Sequence, residues 1–253
     1  MKKRKPFINL LLIVGLIFIA VIACDEADDS VGDSSNTETV KDVDGNMYNT
    51  VKIGNQVWMV ENLKTTKYND GVEIMNVTSD TLWVDLTTGA YCNYENLESN
   101  AEIYGRLYNW YAVNTGKLAP AGWHVPTDED WVVLENYLIA NSYSYDGEKD
   151  GNKIAQSLCA KTNWELSSEA GTPGAALVSN NSSGFTALPG GYRIGYLGWF
   201  YNIGKYGFWW SSTEDAEYGE YYAYGRGLSC GIKVLWRGRC SKDEGYSVRL
   251  VKD

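Results

Sequence analysis

Pro126-Thr127-Asp128-Glu129-Asp130-Trp131-Val132-Val133-Leu134-Glu135-Asn136-Tyr137-Leu138 is the stretch on which the fold reading turns. Thr127 stands as an N-cap with Asp130 three residues on, an aspartate version of the capping box. Three acids in the first turn also suit the positive end of a helix dipole. Trp131, Leu134 and Leu138 form one apolar stripe at helical spacing. The acids are therefore read as helix-starting residues, not catalysts.

Upstream, Met47 to Leu63 reads as a β-hairpin, with Gly54-Asn55 as its tight turn. Residues 64–100 look irregular. Tyr104 to Val113 predicts a helix, with Tyr104, Leu107, Tyr108 and Tyr111 on one face and Thr115-Gly116 ending it. Downstream, a short helix is expected within Lys153 to Ala160. From Gly171 on, glycines are frequent and apolar runs are short and aromatic. Gly184 to Leu188, Tyr206 to Trp210, Val234 to Trp236 and Tyr246 to Val251 read as strands. Helices in the middle and strands at both ends indicate an α+β domain. Neither a repeat of fixed period nor a second domain boundary is visible.

At the start, Met1-Lys2-Lys3-Arg4-Lys5 precedes an apolar run that is unbroken from Leu10 to Ala23. That run is short of the roughly 18 residues that span a bilayer comfortably, and it has the form of a secretory signal peptide. It ends Val21-Ile22-Ala23-Cys24, which resembles a bacterial lipobox. The expectation is a signal peptide over 1–23 and lipid attachment at Cys24. Asp25 to Glu38 holds six acidic residues and no basic one, so residues 24–41 are expected to form a tether. An acidic cluster behind a lipidated cysteine resembles the surface-export signal of Bacteroidetes lipoproteins. The chain is thus expected to be outer-membrane anchored and exposed at the cell surface, with one domain over 42–253.

Without residues 1–23 the basic count falls from 22 to 18 against 32 acidic residues, a formal charge of −14. That argues against nucleic acid and against docking on anionic lipid through a basic patch. Ten Trp and nineteen Tyr against five Phe favour half-buried rings with polar tips, which serve both loop-rich cores and contact surfaces. Beyond Cys24, the four cysteines Cys92, Cys159, Cys230 and Cys240 allow three disulfide connectivities, and Cys230 with Cys240 could bridge a hairpin. Free buried thiols are the other reading.

The search for chemistry finds little. His124 is the only histidine, so a His-rich metal site is excluded. No sequence-local Ser-His-Asp arrangement, phosphate loop or C-x-x-C pair occurs. Asp146-Gly147-Glu148-Lys149-Asp150-Gly151 matches the opening half of a calcium loop, with Asn152 as a further oxygen donor. The closing glutamate is replaced by Ser157, and a solvated acidic loop is the plainer reading. Calcium is the one cofactor kept in view.

Seven strings occur in order: Asp42-Val43-Asp44-Gly45-Asn46, Gln56 to Leu63, Tyr108 to Ala112, Gly122 to Thr127, Gly184 to Arg193, Trp209 to Thr213 and Gly245 to Arg249. Together they resemble the major paralogous domain first named from Fibrobacter succinogenes, over about residues 42–252. The last four also resemble the formylglycine-generating and C-type lectin-like superfamily. That likeness implies a compact C-type lectin-like domain with two to three helices and long loops on a small twisted antiparallel sheet. Function does not travel with such a fold. The neighbours of Cys230 and Cys240 do not match the copper-binding pair of the enzymes, and the calcium and sugar motifs of true C-type lectins are absent.

The expectation is a non-enzymatic surface module for binding or adhesion, with carbohydrate as one ligand class. Tyr196, Trp199, Tyr201 and Tyr206 are its expected contact residues, because aromatic faces stack on sugar rings. A structural envelope component that binds a protein partner is the alternative. A formylglycine-generating type of enzyme is the third reading.

Overall fold

The computed structural model describes residues 38–84 and 86–253. Cys24, the signal segment and most of the acidic stretch lie outside the described residues. The strands are β1 (Thr39–Lys41), β2 (Met47–Ile53), β3 (Gln56–Met59), β4 (Met75–Asn76), β5 (Ala90–Cys92), β6 (Leu107–Tyr108), β7 (Trp123–His124), β8 (Gly190–Arg193), β9 (Phe200–Ile203), β10 (Tyr206–Glu214), β11 (Tyr222–Ser229), β12 (Trp236–Ser241) and β13 (Val251–Lys252). The helices are α1 (Asp80–Val84), α2 (Glu98–Tyr104), α3 (Trp110–Val113), α4 (Asp128–Ala140) and α5 (Ala155–Leu158). They build three sheets, ordered β1-β2-β3-β13-β7, β12-β11-β10-β8-β9 and β4-β5-β6. All pairs are antiparallel except β8 with β10 and β4 with β5. The α+β class is as expected.

Thr39–Lys41, assigned to the tether by composition, belong to the domain instead. They pair with β2, and Val40 is buried, so local polarity is overridden by ladder hydrogen bonds and one apolar anchor. The β2–β3 hairpin turns at Gly54, whose φ of +61° suits glycine. A Cβ there would sit 2.7 Å from the Tyr137 ring, so the turn packs directly on α4.

The α4 start is as the sequence indicates. Thr127 Oγ1 accepts from the Asp130 amide at 3.1 Å, and Asp130 Oδ2 accepts from the Thr127 amide at 2.8 Å. Trp131, Leu134 and Leu138 are fully buried beneath Trp58, Phe185 and Trp209. The Trp58 and Trp131 rings lie 4.9 Å apart.

Other expectations change. Tyr104 to Val113 is not one helix. Gly105, at φ +77° and against Asn62, ends α2; β6 follows, and Asn109 then caps α3 by accepting from Ala112 N at 3.1 Å. Gly184 to Leu188 is not a strand, because Gly184 (φ +80°) and Thr186 (φ +59°) break its extension. Only Ala187 bridges, to Cys159. Val234 and Leu235 precede β12, which begins at Trp236. Gly245 to Leu250 is extended but changes partner along its length. It meets Arg193, Tyr108, Phe208 with Trp210, Leu63 and Met59 in turn. Val251 in β13 then pairs with both Trp58 and His124. The C-terminal segment therefore stitches all three sheets together.

Three arginines with no exposed side-chain surface join these layers. Arg193 donates to Val77 O at 2.6 Å, Gly198 O at 2.7 Å and Asp80 Oδ1 at 3.0 Å. Arg226 pairs with Asp128 and Glu135, each at 2.7 Å, and so fixes β11 to α4. Arg249 donates to Phe185 O and to Asn62 Oδ1, and its guanidinium lies 4.2 Å from the Phe185 ring centroid. Asn62 Oδ1 also accepts from Trp209 Nε1 at 2.8 Å.

Replacing Arg249 with Met leaves Asn62 Oδ1 and the Phe185 carbonyl short of a donor inside the core. The expected loss is about 1–3 kcal/mol in urea unfolding. Replacing the half-exposed Lys67, which pairs with Asp44 and Glu73 in solvent, costs less than that. Equal losses would contradict the assigned weight of Arg249.

Candidate functional site

β10 alternates as a half-buried strand should. Trp209 faces the core under α4, while Tyr206 and Phe208 face the other side of the sheet, with Trp210 buried at the closed end of that face. Glycines make room for these rings. Gly227 of β11 opposes Phe208, and a Cβ there would come 2.6 Å from that ring. Gly238 of β12 lies under the Trp236 indole, where a Cβ would come within 1.9 Å.

Five aromatic rings thereby line a groove of about 510 Å³, open to solvent, with Glu244 in its wall and Ile232 and Val234 at its rim. Phe208 is the hub. Its ring stacks on Tyr206 (centroids 5.9 Å apart, planes 3° apart) and on Tyr246 (5.0 Å, 19°). Tyr192 at 5.2 Å and Trp236 at 6.0 Å meet it edge to face. The volume lies in the usual range for small-molecule sites, and the lining is mostly apolar with few polar groups.

Glu244 is the polar exception. Its Oε2 is buried without a hydrogen-bond partner. Burial, reinforced by the neighbouring Asp243 charge, pushes its carboxyl up to about 8.

The four expected contact residues divide. Tyr206 lines the groove, and Tyr201 stacks on the groove's Tyr192 at 6.0 Å. Tyr196 and Trp199 sit instead in the exposed β8–β9 connection, 67% and 52% accessible. Phe208, Trp236, Tyr246 and Glu244 were missed. The alternation Tyr206-Gly207-Phe208 and the glycines facing it could have pointed to Phe208. Trp236 and Glu244 reach the groove only through sheet register and the final turn.

Cys230 and Cys240 do not bridge. The β11–β12 register sets Cys240 opposite Ala223, seven residues before Cys230, and all four described cysteines are free thiols. Seven extended residues span roughly 23 Å, far beyond disulfide reach. Burial raises the thiol pKa of Cys92, Cys159, Cys230 and Cys240 alike.

The Asp146 loop is arranged round a lysine. Lys153 Nζ donates to Asp146 at 2.7 Å and to Glu148 at 2.6 Å. Asn152 turns away to Glu135 and the Leu235 backbone, and Asp150 joins none of these bonds. Among the described residues, no three His, Cys, Asp or Glu side chains converge as metal ligands.

His124, on the edge strand β7, links the residue after β13 to the first turn of α4. Its Nδ1 lies 2.6 Å from Asp253 and its Nε2 3.1 Å from Asp130. Burial lowers its pKa, but the hydrogen bonds to Asp253 and Asp130 outweigh that and the net shift is upward. A raised histidine pKa stabilises the fold fully below about 6.5, the unfolded value, and that stabilisation fades as pH rises through the folded value. His124→Gln should therefore lower the melting temperature most on the acid side of that window, with the gap to the parent closing above it. A constant gap at all pH values would refute this.

Alkylation supplies a second check. Denatured without reductant, Cys92, Cys159, Cys230 and Cys240 should all take up iodoacetamide. A Cys230–Cys240 peptide pair protected from label would restore the bridge.

Comparison with curated proteins and with solved structures gives no match. The model of the Fibrobacter succinogenes major domain matches residues 51–252, from β2 to the end of β13. The chain belongs to the Fibrobacter succinogenes major domain family.

Proposed function

We propose that this domain is a ligand-binding module whose site is the aromatic groove of the C-terminal sheet, and that carbohydrate is its ligand class. The observation that carries this reading is the five-ring lining left open to solvent, with an unpartnered carboxyl oxygen beside it. Apolar ring faces stack on the flat faces of sugars, and a few polar atoms fix orientation. A long helix and long loops on small, mainly antiparallel sheets support a C-type lectin-like relationship. The basic start, apolar run and Cys24 support display of the module by a lipid anchor on the outer membrane, reaching outward at the cell surface.

The test is a saccharide and polysaccharide binding screen of the full chain in a non-ionic polyoxyethylene detergent, followed by variants. Trp236→Ala and Tyr206→Ala should each weaken a hit about tenfold or more, the scale of a lost aromatic contact. Melting temperatures should change little for Trp236→Ala, since that ring is 42% exposed. If Trp199→Ala weakens binding and Trp236→Ala does not, the site lies on the β8–β9 connection and the groove is wrong.

A further inference from the structure

Ten cation–ring contacts occur among the described residues, such as Arg193 over Trp83 at 4.5 Å, Arg237 over Tyr224 at 4.1 Å and Lys242 over Trp110 at 4.3 Å. None involves Tyr192, Tyr206, Phe208, Trp236 or Tyr246. No lysine, arginine or histidine lines the groove. Glu244 makes no ion pair with any described residue, and its Oε2 has no hydrogen-bond partner. The cation–ring contacts fall on ten rings outside the groove, Trp83, Trp110 and Tyr224 among them. In the groove, neither the five rings nor Glu244 meets a cation of the described residues.

We propose that the groove takes a ligand bearing a substituted ammonium group, seated against the aromatic faces with Glu244 as its counter-charge. An ammonium is drawn to the negative face of an aromatic ring, more strongly once water is excluded. The carboxylate adds a charge-assisted hydrogen bond, or a bare ion pair for a quaternary amine. Glu244 is thus the specificity-determining residue, and amine-bearing sugars or amine side chains rank above neutral analogues. The inference rests on the groove reading above and narrows its ligand.

The groups facing Glu244 define the pH behaviour. Asp243 opposes its ionisation, while Tyr192, Tyr246 and Cys240 have pKa values raised by burial and stay neutral between pH 6 and 9. Only Glu244 among them changes charge near pH 8. A cation must bind the ionised form, so its affinity should rise about tenfold per pH unit up to about 8 and then level.

The experiment titrates the full chain, in the same non-ionic detergent, with choline and with its neutral isostere 3,3-dimethylbutan-1-ol at pH 6, 7, 8 and 9. Choline should bind more tightly than the alcohol at pH 9, with the pH slope above. Glu244→Gln should abolish that slope and the preference for choline over the alcohol. Glucosamine against N-acetylglucosamine, and lysine amide against its Nε-acetyl form, then identify which amine carrier is preferred. Equal binding of choline and the alcohol, both lost in Trp236→Ala, would overturn the ammonium inference and keep the groove. Choline binding that survives Trp236→Ala would overturn both. No choline binding at pH 9 would overturn the inference.

Discussion

A guanidinium placed in a protein core must find acceptors, because a buried charge without them costs several kcal/mol. Arg249 meets part of that demand through its two terminal nitrogens, which donate to the Phe185 carbonyl and Asn62 Oδ1. Its buried Nε has no partner, and no carboxylate pairs with the guanidinium among the described residues. Asn62 in turn takes the Trp209 indole and donates to the Tyr104 carbonyl at 2.8 Å. One cluster thereby joins the segment after β3, the end of α2, strand β10 and the approach to β13. These are elements up to 187 residues apart. The rest of the architecture depends on it, because the extended segment Gly245 to Leu250 has no single strand neighbour to hold it.

The groove is a consequence of the same constraint. Arg226 clamps β11 against α4, and Arg193 clamps β8 against the small sheet. Both leave the face of β10 that carries Tyr206 and Phe208 without a covering helix. Glycines at 227 and 238 admit flat rings where any side chain would collide. The result is a stack of aromatics that is ordered by ring contacts but still open at Tyr206 and Trp236.

Local signals were read well where local chemistry decides. The α4 capping box, its apolar stripe and the Gly54 hairpin each depend on residues within one or two turns of chain. Tyr104 to Val113 misled because its periodicity fits a helix, while Gly105 and the pairing of Tyr108 with Tyr91 and Tyr246 impose a strand. The β1 residues were hidden in a polar stretch, since backbone pairing leaves little trace in side-chain composition. The Asp146 loop carried acids at ligand spacing, yet an adjacent lysine satisfies two of them. Spacing along the chain does not reveal which cation neutralises a carboxylate.

By itself the sequence determined the α+β class, the family through its ordered strings, and the main helix with its cap; its Trp and Tyr excess fitted a loop-rich core and a contact surface alike. Only the tertiary structure decided which aromatics meet. Tyr206 was visible as a candidate, but Trp236 reaches Phe208 through β11–β12 register, and Tyr246 and Glu244 arrive from the final turn. It also set Cys240 opposite Ala223 and so separated it from Cys230. Register and crossover are fixed by backbone hydrogen bonds and buried side chains distant in sequence, and no local pattern of residues encodes that pairing.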